Sequence, residues 1–376
     1  MRTSLPGRIE DVDMAVSDAY RQLFPKGESS EPYQPAEDGD HYTAVPDFFE
    51  WWYFDVALDD GSHLVAVLHS SLYNVADHKP TVDLRYYPRQ GQPVVAIGRY
   101  RRSDYRAASD RCQVQIAACQ VEDLGDRYRL SLLEGPLAAE LTFWPRLSGW
   151  RAGTGHLFFD PDTGRYFDWI VPLPRAHVEG VLSVRGESRP VVGQGYHDHN
   201  WGNLYLPAAF RGWTWGRAQL GAWTVIFGDV VGHGEPAPHV TPFYLARDDA
   251  VLLSTDRIQV QAETWLREPR TGARYPRVLT VQTLEGPTVT LTLTARRALE
   301  ALHFAAPRLR LTRLPRGRGL TELAYYLAQP LPGLGPWIGR LLGRATYLRW
   351  LADGHLISPD LKVHAYGEML YEVMIL

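Results

Sequence analysis

The chain has 376 residues and a formal charge of −4, with 39 basic residues spread along its length. This length fits two domains of about 150 to 200 residues, and the charge distribution does not indicate a nucleic-acid partner. Cys112 and Cys119 are the only cysteines, and their spacing fits neither a disulfide framework nor a zinc ribbon. Residues 1–27 contain no apolar segment of signal-peptide length, and no apolar run reaches the roughly 18 residues of a spanning helix. We expect a cytoplasmic protein.

In chain order, the first predicted element is a helix over 11–23 in an N-terminal arm, residues 1–30. Most later segments are rich in valine, isoleucine, threonine and aromatic residues, which predicts strands. These segments are His63–Ser70, Gln113–Cys119, Tyr128–Leu133, Thr224–Val231, Val278–Leu284 and Thr288–Thr294. Hairpin turns are predicted at Asp60-Gly61, Asp162–Gly164, Arg270–Gly272 and Asp353-Gly354. The pattern predicts an all-β, mostly antiparallel sandwich or barrel protein with few short helices.

A second helix is predicted over Leu334–Leu351, after a cluster of prolines. Trp337, Ile338, Leu341, Leu342, Ala345 and Leu348 recur there at helical spacing. Arg340, Arg344 and Arg349 lie on the other side of this helix. The pattern is typical of a helix packed on the outside of a barrel, and the alternatives are peripheral membrane contact through 334–351 or a lid over an apolar cavity.

The densest cluster of reactive side chains is the run Gly193-Gln-Gly-Tyr-His-Asp-His-Asn-Trp-Gly202. Its β-prone neighbours predict an extended backbone, whose side chains alternate between two faces. His197, His199 and Trp201 then share one face, and Tyr196, Asp198 and Asn200 share the other. Such a strand suits a barrel interior or a domain cleft, where one row forms a polar site with an aromatic wall.

A second aromatic run is Phe48-Phe-Glu-Trp-Trp-Tyr-Phe-Asp55. As a strand it places Glu50, Trp52 and Phe54 on one face and Trp51, Tyr53 and Asp55 on the other. Large aromatic rings on both faces are typical of a strand buried on both sides, or of one whose second face lines a ligand cavity.

The third aromatic run is Phe210-Arg-Gly-Trp-Thr-Trp-Gly-Arg-Ala218, followed by Trp223–Asp229. Alternation groups Trp213, Trp215 and Arg217, and it groups Phe227 with Asp229. A lone buried Asp229 would have a raised pKa and could serve as a general acid. If Asp229 pairs with Arg217 instead, it is a structural carboxylate.

These three runs, in this order and at this separation, resemble the carotenoid 1,2-hydratase (hydroxyneurosporene synthase) family and its AttH-like relatives, to which lipocalin-like Diels-Alderases are related. The resemblance covers the chain from about Glu31 to the C-terminus. It implies two tandem lipocalin-like antiparallel β-barrel domains, at 31–205 and 206–376. It also implies a hydrophobic, unsaturated substrate held in an aromatic cavity between the barrels.

The resemblance implies a hydratase that adds water to a carbon–carbon double bond of an isoprenoid or carotenoid-type polyene. His199 and Trp201 match the family's functional histidine and tryptophan, and Asp229 matches its proton donor; His197 joins the predicted catalytic set. The predicted substrate-binding residues are Trp52, Glu50, Tyr196, Asn200, Trp213, Trp215, Arg217 and Phe227. The alternatives are a Diels-Alderase-like cyclase of a polyene natural product and a non-catalytic lipid or isoprenoid carrier.

A metal site is a further alternative, because His197-x-His199 is an alternate-residue pair found in β-strand metal sites. A third ligand would have to come from His233, His239 or Glu50, and the spacing fixes none of them. A network of hydrogen-bonded imidazoles is the preferred interpretation. We therefore predict neither a metal nor another cofactor.

Overall fold

The computed structural model describes residues 32–73, 77–305 and 344–376. The predicted N-terminal arm and its helix at 11–23 lie outside these ranges, as does the first part of the helix predicted over 334–351. Within the described ranges, no helix is long and apolar enough to cross a membrane.

The first sheet contains twelve antiparallel strands in the order β4-β3-β2-β1-β12-β11-β9-β8-β7-β6-β5, with β10 paired to β11. Two short 3₁₀ helices, Pro35–Asp38 and Arg102–Asp104, accompany it. The strands are β1 (Phe49–Leu58), β2 (His63–Ser71), β3 (Thr81–Tyr87), β4 (Val94–Arg99), β5 (Tyr105–Ala107), β6 (Gln113–Ile116), β7 (Cys119–Asp123), β8 (Tyr128–Glu134), β9 (Leu137–Pro145), β10 (Trp150–Asp160), β11 (Arg165–Val184) and β12 (Glu187–Gly202).

The second sheet contains ten strands in the order β17-β16-β14-β13-β22-β21-β20-β19-β18, with β15 paired to β14. A one-turn helix, α1 (Leu206–Ala209), precedes it. The strands are β13 (Phe210–Leu220), β14 (Trp223–Gly232), β15 (His239–Val240), β16 (Phe243–Arg247), β17 (Ala250–Thr255), β18 (Ile258–Arg267), β19 (Arg274–Thr283), β20 (Thr290–Ala305), β21 (Arg344–Ser358) and β22 (Val363–Ile375). The predicted all-β antiparallel fold class is confirmed.

The chain forms two compact units. The first contains the described residues up to Tyr205 together with Ala222–Ile226 and Pro242–Asp256. The second contains Leu206–Gly221, Phe227–Thr241 and the described residues from Arg257 onward. In the first unit, inward-facing side chains of β1, β2, β8, β9, β11 and β12 build one continuous apolar core. Alternation along each strand sends every second side chain into this core.

The helix predicted over Leu334–Leu351 is wrong from Arg344 onward, where the chain forms strand β21. Ala345 and Leu348 are fully buried there, and Arg349 is buried in an ion pair with Glu372, 2.7 Å away. The strand is buried on both faces, so its apolar residues do not alternate with polar ones. Their spacing therefore resembles the apolar stripe of a helix. Membrane contact through this segment stays an untested expectation.

Two local predictions also fail. Asp353-Gly354 is not a hairpin turn but lies inside β21, where it pairs with Gly367 and Glu368 of β22. The predicted strand Gln113–Cys119 is two strands, because a turn at Ala117, whose φ is 51°, separates β6 from β7. An Asp-Gly pair favours a turn. It stays in a strand here because the backbones of β20 and β22 pair with it on both sides.

Candidate functional site

The two aromatic runs of the first unit pair with each other as strands β1 and β12. Trp52 lies opposite His199, and Phe54 lies opposite His197. Both imidazoles stack on their aromatic partners, with ring centroids 4.4 Å apart for Trp52–His199 and 3.8 Å apart for Phe54–His197. The predicted extended backbone is confirmed, and the histidine row faces the apolar core that contains Trp52 and Phe54.

His197 is held between a backbone carbonyl and a buried carboxylate. Its Nδ1 lies 2.9 Å from the carbonyl oxygen of Tyr53, and its Nε2 lies 3.0 Å from Oδ2 of Asp38. Asp38 comes from the first 3₁₀ helix and also accepts a 2.9 Å hydrogen bond from the Tyr128 hydroxyl. Both ring nitrogens of His197 therefore lie within hydrogen-bond distance of a buried oxygen acceptor.

His199 lies between two buried carboxylates. Its ring nitrogens are 3.3 Å from Oδ1 of Asp38 and 3.3 Å from Oε1 of Glu50, at angles outside the hydrogen-bond range. Burial works to lower the pKa of His199, but Asp38 and Glu50 outweigh burial and raise it to about 9. Burial likewise works to raise the pKa of Asp38, but His197 and His199 outweigh it and lower that pKa to about 2. Opposite charges therefore fill the end of this core.

This charge network predicts a loss of stability at alkaline pH. The pKa of His199 is about 9 in the folded protein and 6.5 in the reference state, so its contribution is complete below pH 6.5 and is lost as pH rises through 9. Urea unfolding from pH 6.5 to 9 should show a falling free energy of unfolding. His199→Gln should flatten that decline, whereas His177→Gln, on the partly exposed β11 side chain, should keep it. An unchanged slope in His199→Gln would contradict the assignment.

One group of potential metal ligands lies in this network. Among the described residues, the ligand atoms of Asp38, Cys112 and His197 lie within 4.8 Å of one another. Burial raises the pKa of the Cys112 thiol, which opposes the thiolate form that binds metals. Of the three suggested third ligands, His239 contacts Asp229 and His233 contacts the carbonyl oxygen of Pro207, whereas Glu50 lies 3.3 Å from His199. The metal alternative stays untested.

A pocket of about 450 Å³ opens in the first unit next to Trp201, the second-last residue of β12. An irregularity in β10 shapes its rim: Arg151 pairs with Ile170 and His156 pairs with Asp168, so residues 152–155 of β10 face a single residue of β11. Gly153 and Gly155 have φ values of 55° and 87°, which glycine adopts without strain. The resulting bulge carries Arg151 and His156 to the pocket.

One ion pair, one imidazole–carboxyl contact and the raised pKa of that carboxyl give the pocket its chemistry. Arg151 pairs with Glu37, and Nδ1 of His156 pairs with Oδ1 of Asp168. Burial raises the pKa of Asp168, although His156 works against that rise. The side chain of His156 is 32% exposed and that of Asp168 is 12% exposed. A carboxyl whose pKa is raised by burial therefore lies next to an imidazole that reaches solvent.

His41 joins the pocket to the charge network. Its ring stacks on Trp201 with centroids 3.9 Å apart, and its backbone N–H donates to Oε1 of Glu50 at 2.7 Å. Its Nε2 donates to the carbonyl oxygen of Glu37 at 3.0 Å. Burial, and then the charge of His199, lower the pKa of His41. The ring is neutral at pH 7, and its Nδ1 carries a lone pair that can accept a proton.

The predicted site residues fall into separate groups. Trp201 lines the pocket, whereas Glu50, Trp52, His197 and His199 are fully buried in the core next to it. Tyr196 and Asn200 lie on the opposite face of β12, where both donate at 2.8 Å to the carboxylate of Asp198. Trp213, Trp215, Arg217, Phe227 and Asp229 lie in the second unit. The catalytic and binding roles given to these residues stay predictions.

Asp229 is not alone in the second unit. Its Oδ1 lies 2.6 Å from Nδ1 of His239, whose side chain is half-exposed. The ring of Phe227 packs where a side chain of Gly216 would lie, so Phe227 and Asp229 share the face of Gly216. Arg217, next along β13, points to the other face. A lone Asp229 is therefore wrong, and the Asp229–Arg217 pair stays a prediction.

Sequence reasoning missed the residues that give the pocket its charge. Glu37, His41, Arg151, His156 and Asp168 stand far apart in the chain and form no compact motif. One available signal was Tyr166-Phe-Asp-Trp169, a carboxylate flanked by aromatic residues like Asp55 in the β1 run. A second signal was the glycine pair in Ala152-Gly-Thr-Gly155, which indicates a bulge.

Fold and pocket together define a protein built from two antiparallel sheets with a ligand-sized cavity. The chain belongs to the AttH-like family, whose pattern matches residues 32–307. A hydroxyneurosporene dehydrogenase of Chlorobaculum tepidum is 25% identical over 224 residues, which are 47% of this chain and 55% of that protein. The quinolone epoxide rearrangement protein asqO of Emericella nidulans is 34% identical over 59 residues, 16% of each chain. The matches thus span about half or less of these curated relatives.

Solved structures share the fold at low sequence identity. An AttH protein of Nitrosomonas europaea has a TM-score of 0.60 at 17% identity and covers 93% of this chain and 97% of that one. CghA with Sch210972 has a TM-score of 0.60 at 11% identity and covers 94% and 95%. Kievitone hydratase from Nectria haematococca has a TM-score of 0.54 at 11% identity and covers 94% and 98%. The family resemblance and the lipocalin-like fold class are confirmed.

Proposed function

We propose that the protein adds water to a carbon–carbon double bond of a hydrophobic isoprenoid or polyene bound in the pocket next to Trp201. The observation that carries this proposal is the presence of a buried carboxyl with a raised pKa, Asp168, in a cavity that also has aromatic walls. A relative of the same fold is named a hydratase. A volume of about 450 Å³ suits a small molecule or the end of a longer chain.

Asp168 is the proposed general acid. Its proton goes to one alkene carbon, where the π electrons form the new C–H bond, and a tertiary cation remains on the other carbon. The imidazole of His156, paired with Asp168 and 32% exposed, returns a proton from solvent. A carboxyl with an ordinary pKa would be ionised at neutral pH, so the burial of Asp168 is what makes the step available.

Aromatic rings stabilise the cation, and His41 receives the second proton. The indole of Trp201 is covered on one side by the stacked ring of His41, so Phe159 and Tyr166 are the rings of the pocket that face the cation. Water then forms the C–O bond and loses a proton to Nδ1 of His41, which releases it to solvent. The balance is one water added to one double bond.

Isotope labelling tests the reaction class. Purified protein is incubated in ¹⁸O-water with lycopene, and separately with geranylgeraniol, and the products are analysed by mass spectrometry. We expect a tertiary alcohol that carries one ¹⁸O atom at the former alkene carbon. The same incubation with heat-denatured protein controls for chemical hydration, and a product without label would contradict the proposal.

The same assay separates the two other candidate functions. A cyclase converts a polyene into a product of unchanged mass; the guanidinium of Arg151 at the rim could donate to an activating carbonyl in that reaction. A carrier returns the ligand bound but unchanged. Either result replaces hydration as the function.

A further inference from the structure

The sheet has a second irregularity, which places a histidine among aromatic rings on the face of β1 opposite the charge network. Glu50 pairs with Ser71, whereas Trp51, the next residue, pairs with His69. Ser70 is therefore the extra residue of a bulge in β2, and its hydroxyl donates to Glu50. A bulge changes the direction of the side chains around it. Here it places His69 directly opposite Trp51 in the β1–β2 pair.

His69 is buried without a hydrogen bond at one ring nitrogen. The residue is 6% exposed, and its Nδ1 is buried and has no hydrogen-bond partner. Burial lowers the pKa of His69 to about 4, so the ring is neutral. A buried polar atom without a partner destabilises the fold by about 1–3 kcal/mol. The arrangement is typical of an atom whose partner is a ligand.

The surroundings of His69 define what that ligand is. Its ring lies 6.2 Å from Trp51 and 6.5 Å from Tyr73, and those two rings meet edge to face at 5.6 Å. Trp51 and Tyr73 are half-buried, so the cluster is open to solvent on one side. Two aromatic rings next to one polar imidazole favour a flat, unsaturated molecule.

The two charges that act on His69 are paired with each other. They are Asp83, whose charge works to raise the pKa of His69, and Arg85, whose charge works to lower it. Because Asp83 and Arg85 form an ion pair of 2.6 Å, they offer little net charge to an ionic ligand. A neutral hydroxyl meets either tautomer of the imidazole, as donor or as acceptor.

We propose that Trp51, His69 and Tyr73 form a binding site for a neutral, planar, unsaturated molecule that carries a hydroxyl group, with that hydroxyl bonded to Nδ1 of His69. The site is separate from the pocket of Asp168 and does not depend on the proposed reaction. It uses the face of β1 opposite the buried charge network, so one strand serves both the core and a ligand.

Binding of 2-naphthol to the full-length protein tests this site. The imidazole ¹⁵N signals of His69 should shift on titration with 2-naphthol and stay in place with naphthalene, which can neither donate nor accept a hydrogen bond. His69→Phe keeps a ring but removes the nitrogen, and it should weaken 2-naphthol binding by about tenfold, as expected for one hydrogen bond. The affinity is measured by isothermal titration calorimetry.

Two variants make the result specific. His63→Phe changes a histidine on the same strand with the same 6% exposure, and it should leave the affinity unchanged. Asp168→Asn should also leave it unchanged, so failure of the hydratase proposal and failure of this one are distinct. Equal affinities of wild type and His69→Phe would overturn the proposal. If His69→Phe does not fold, unshifted ¹⁵N signals in the wild type overturn it instead.

Discussion

Asp168→Asn should lower the rate of hydration by about 10²- to 10⁴-fold, the usual contribution of a general acid. The amide cannot transfer a proton to an alkene carbon, but it keeps the shape of the side chain next to His156. Substrate affinity should therefore change by no more than about twofold, because binding does not use the acidic proton. Single-turnover rates and equilibrium binding measure the two effects separately.

Asp229→Asn is the matched comparison, because the sequence favours Asp229 as the acid. Asp229 is hydrogen-bonded to His239 and is not among the residues that line the pocket with Asp168. We expect this variant to keep most of its activity. The opposite pattern, loss in Asp229→Asn and activity in Asp168→Asn, would move the acid to the residue that the family resemblance implies.

The largest expected effect on stability comes from Asp38→Asn. The Asp38 carboxylate faces both buried imidazoles, at 3.0 Å from His197 and 3.3 Å from His199. Removing one partner of a buried ionic network leaves an uncompensated charge, which typically costs about 3–5 kcal/mol. The loss should appear as a lower free energy of unfolding in urea, with an unchanged m-value.

Asp126→Asn provides the control for this measurement. Asp126 pairs with Arg127 at 3.2 Å, but its side chain is 66% exposed. Exposed pairs contribute little, so the change should stay within about 0.5 kcal/mol. If Asp38→Asn and Asp126→Asn have similar stabilities, the buried residues do not form the ionic network described for the core.

The sequence predicted the two-row organisation of the site because strand geometry is simple. Side chains alternate with a period of two, so Glu50, Trp52 and Phe54 had to share a face once the run was recognised as a strand. The register of β1 on β12 then aligned this row with His197, His199 and Trp201. Alternation cannot tell which row faces a cavity, and the structure shows the histidine row in the core.

The pocket could not be predicted because its charged residues meet only through long-range pairing. Arg151 and Glu37 are 114 residues apart, and Arg151 reaches the pocket only through the bulge at 152–155. Asp38, the central carboxylate, comes from a 3₁₀ helix that carries no strong sequence signal. The strand at Arg344–Ser358 was missed for a related reason, since burial on both faces removes the alternation that identifies strands.

The bulge of β10 separates the shape of the pocket rim from the register of the sheet that supports it. Residues 152–155 have no ladder partners that set their number, so insertions and deletions there alter the rim without shifting the register of Trp150 or Phe158 with β11. The buried charges of Asp38, Glu50 and His199 are built on other elements. A change in the length of this one short segment should therefore reshape the pocket rim and leave the buried charge network in place.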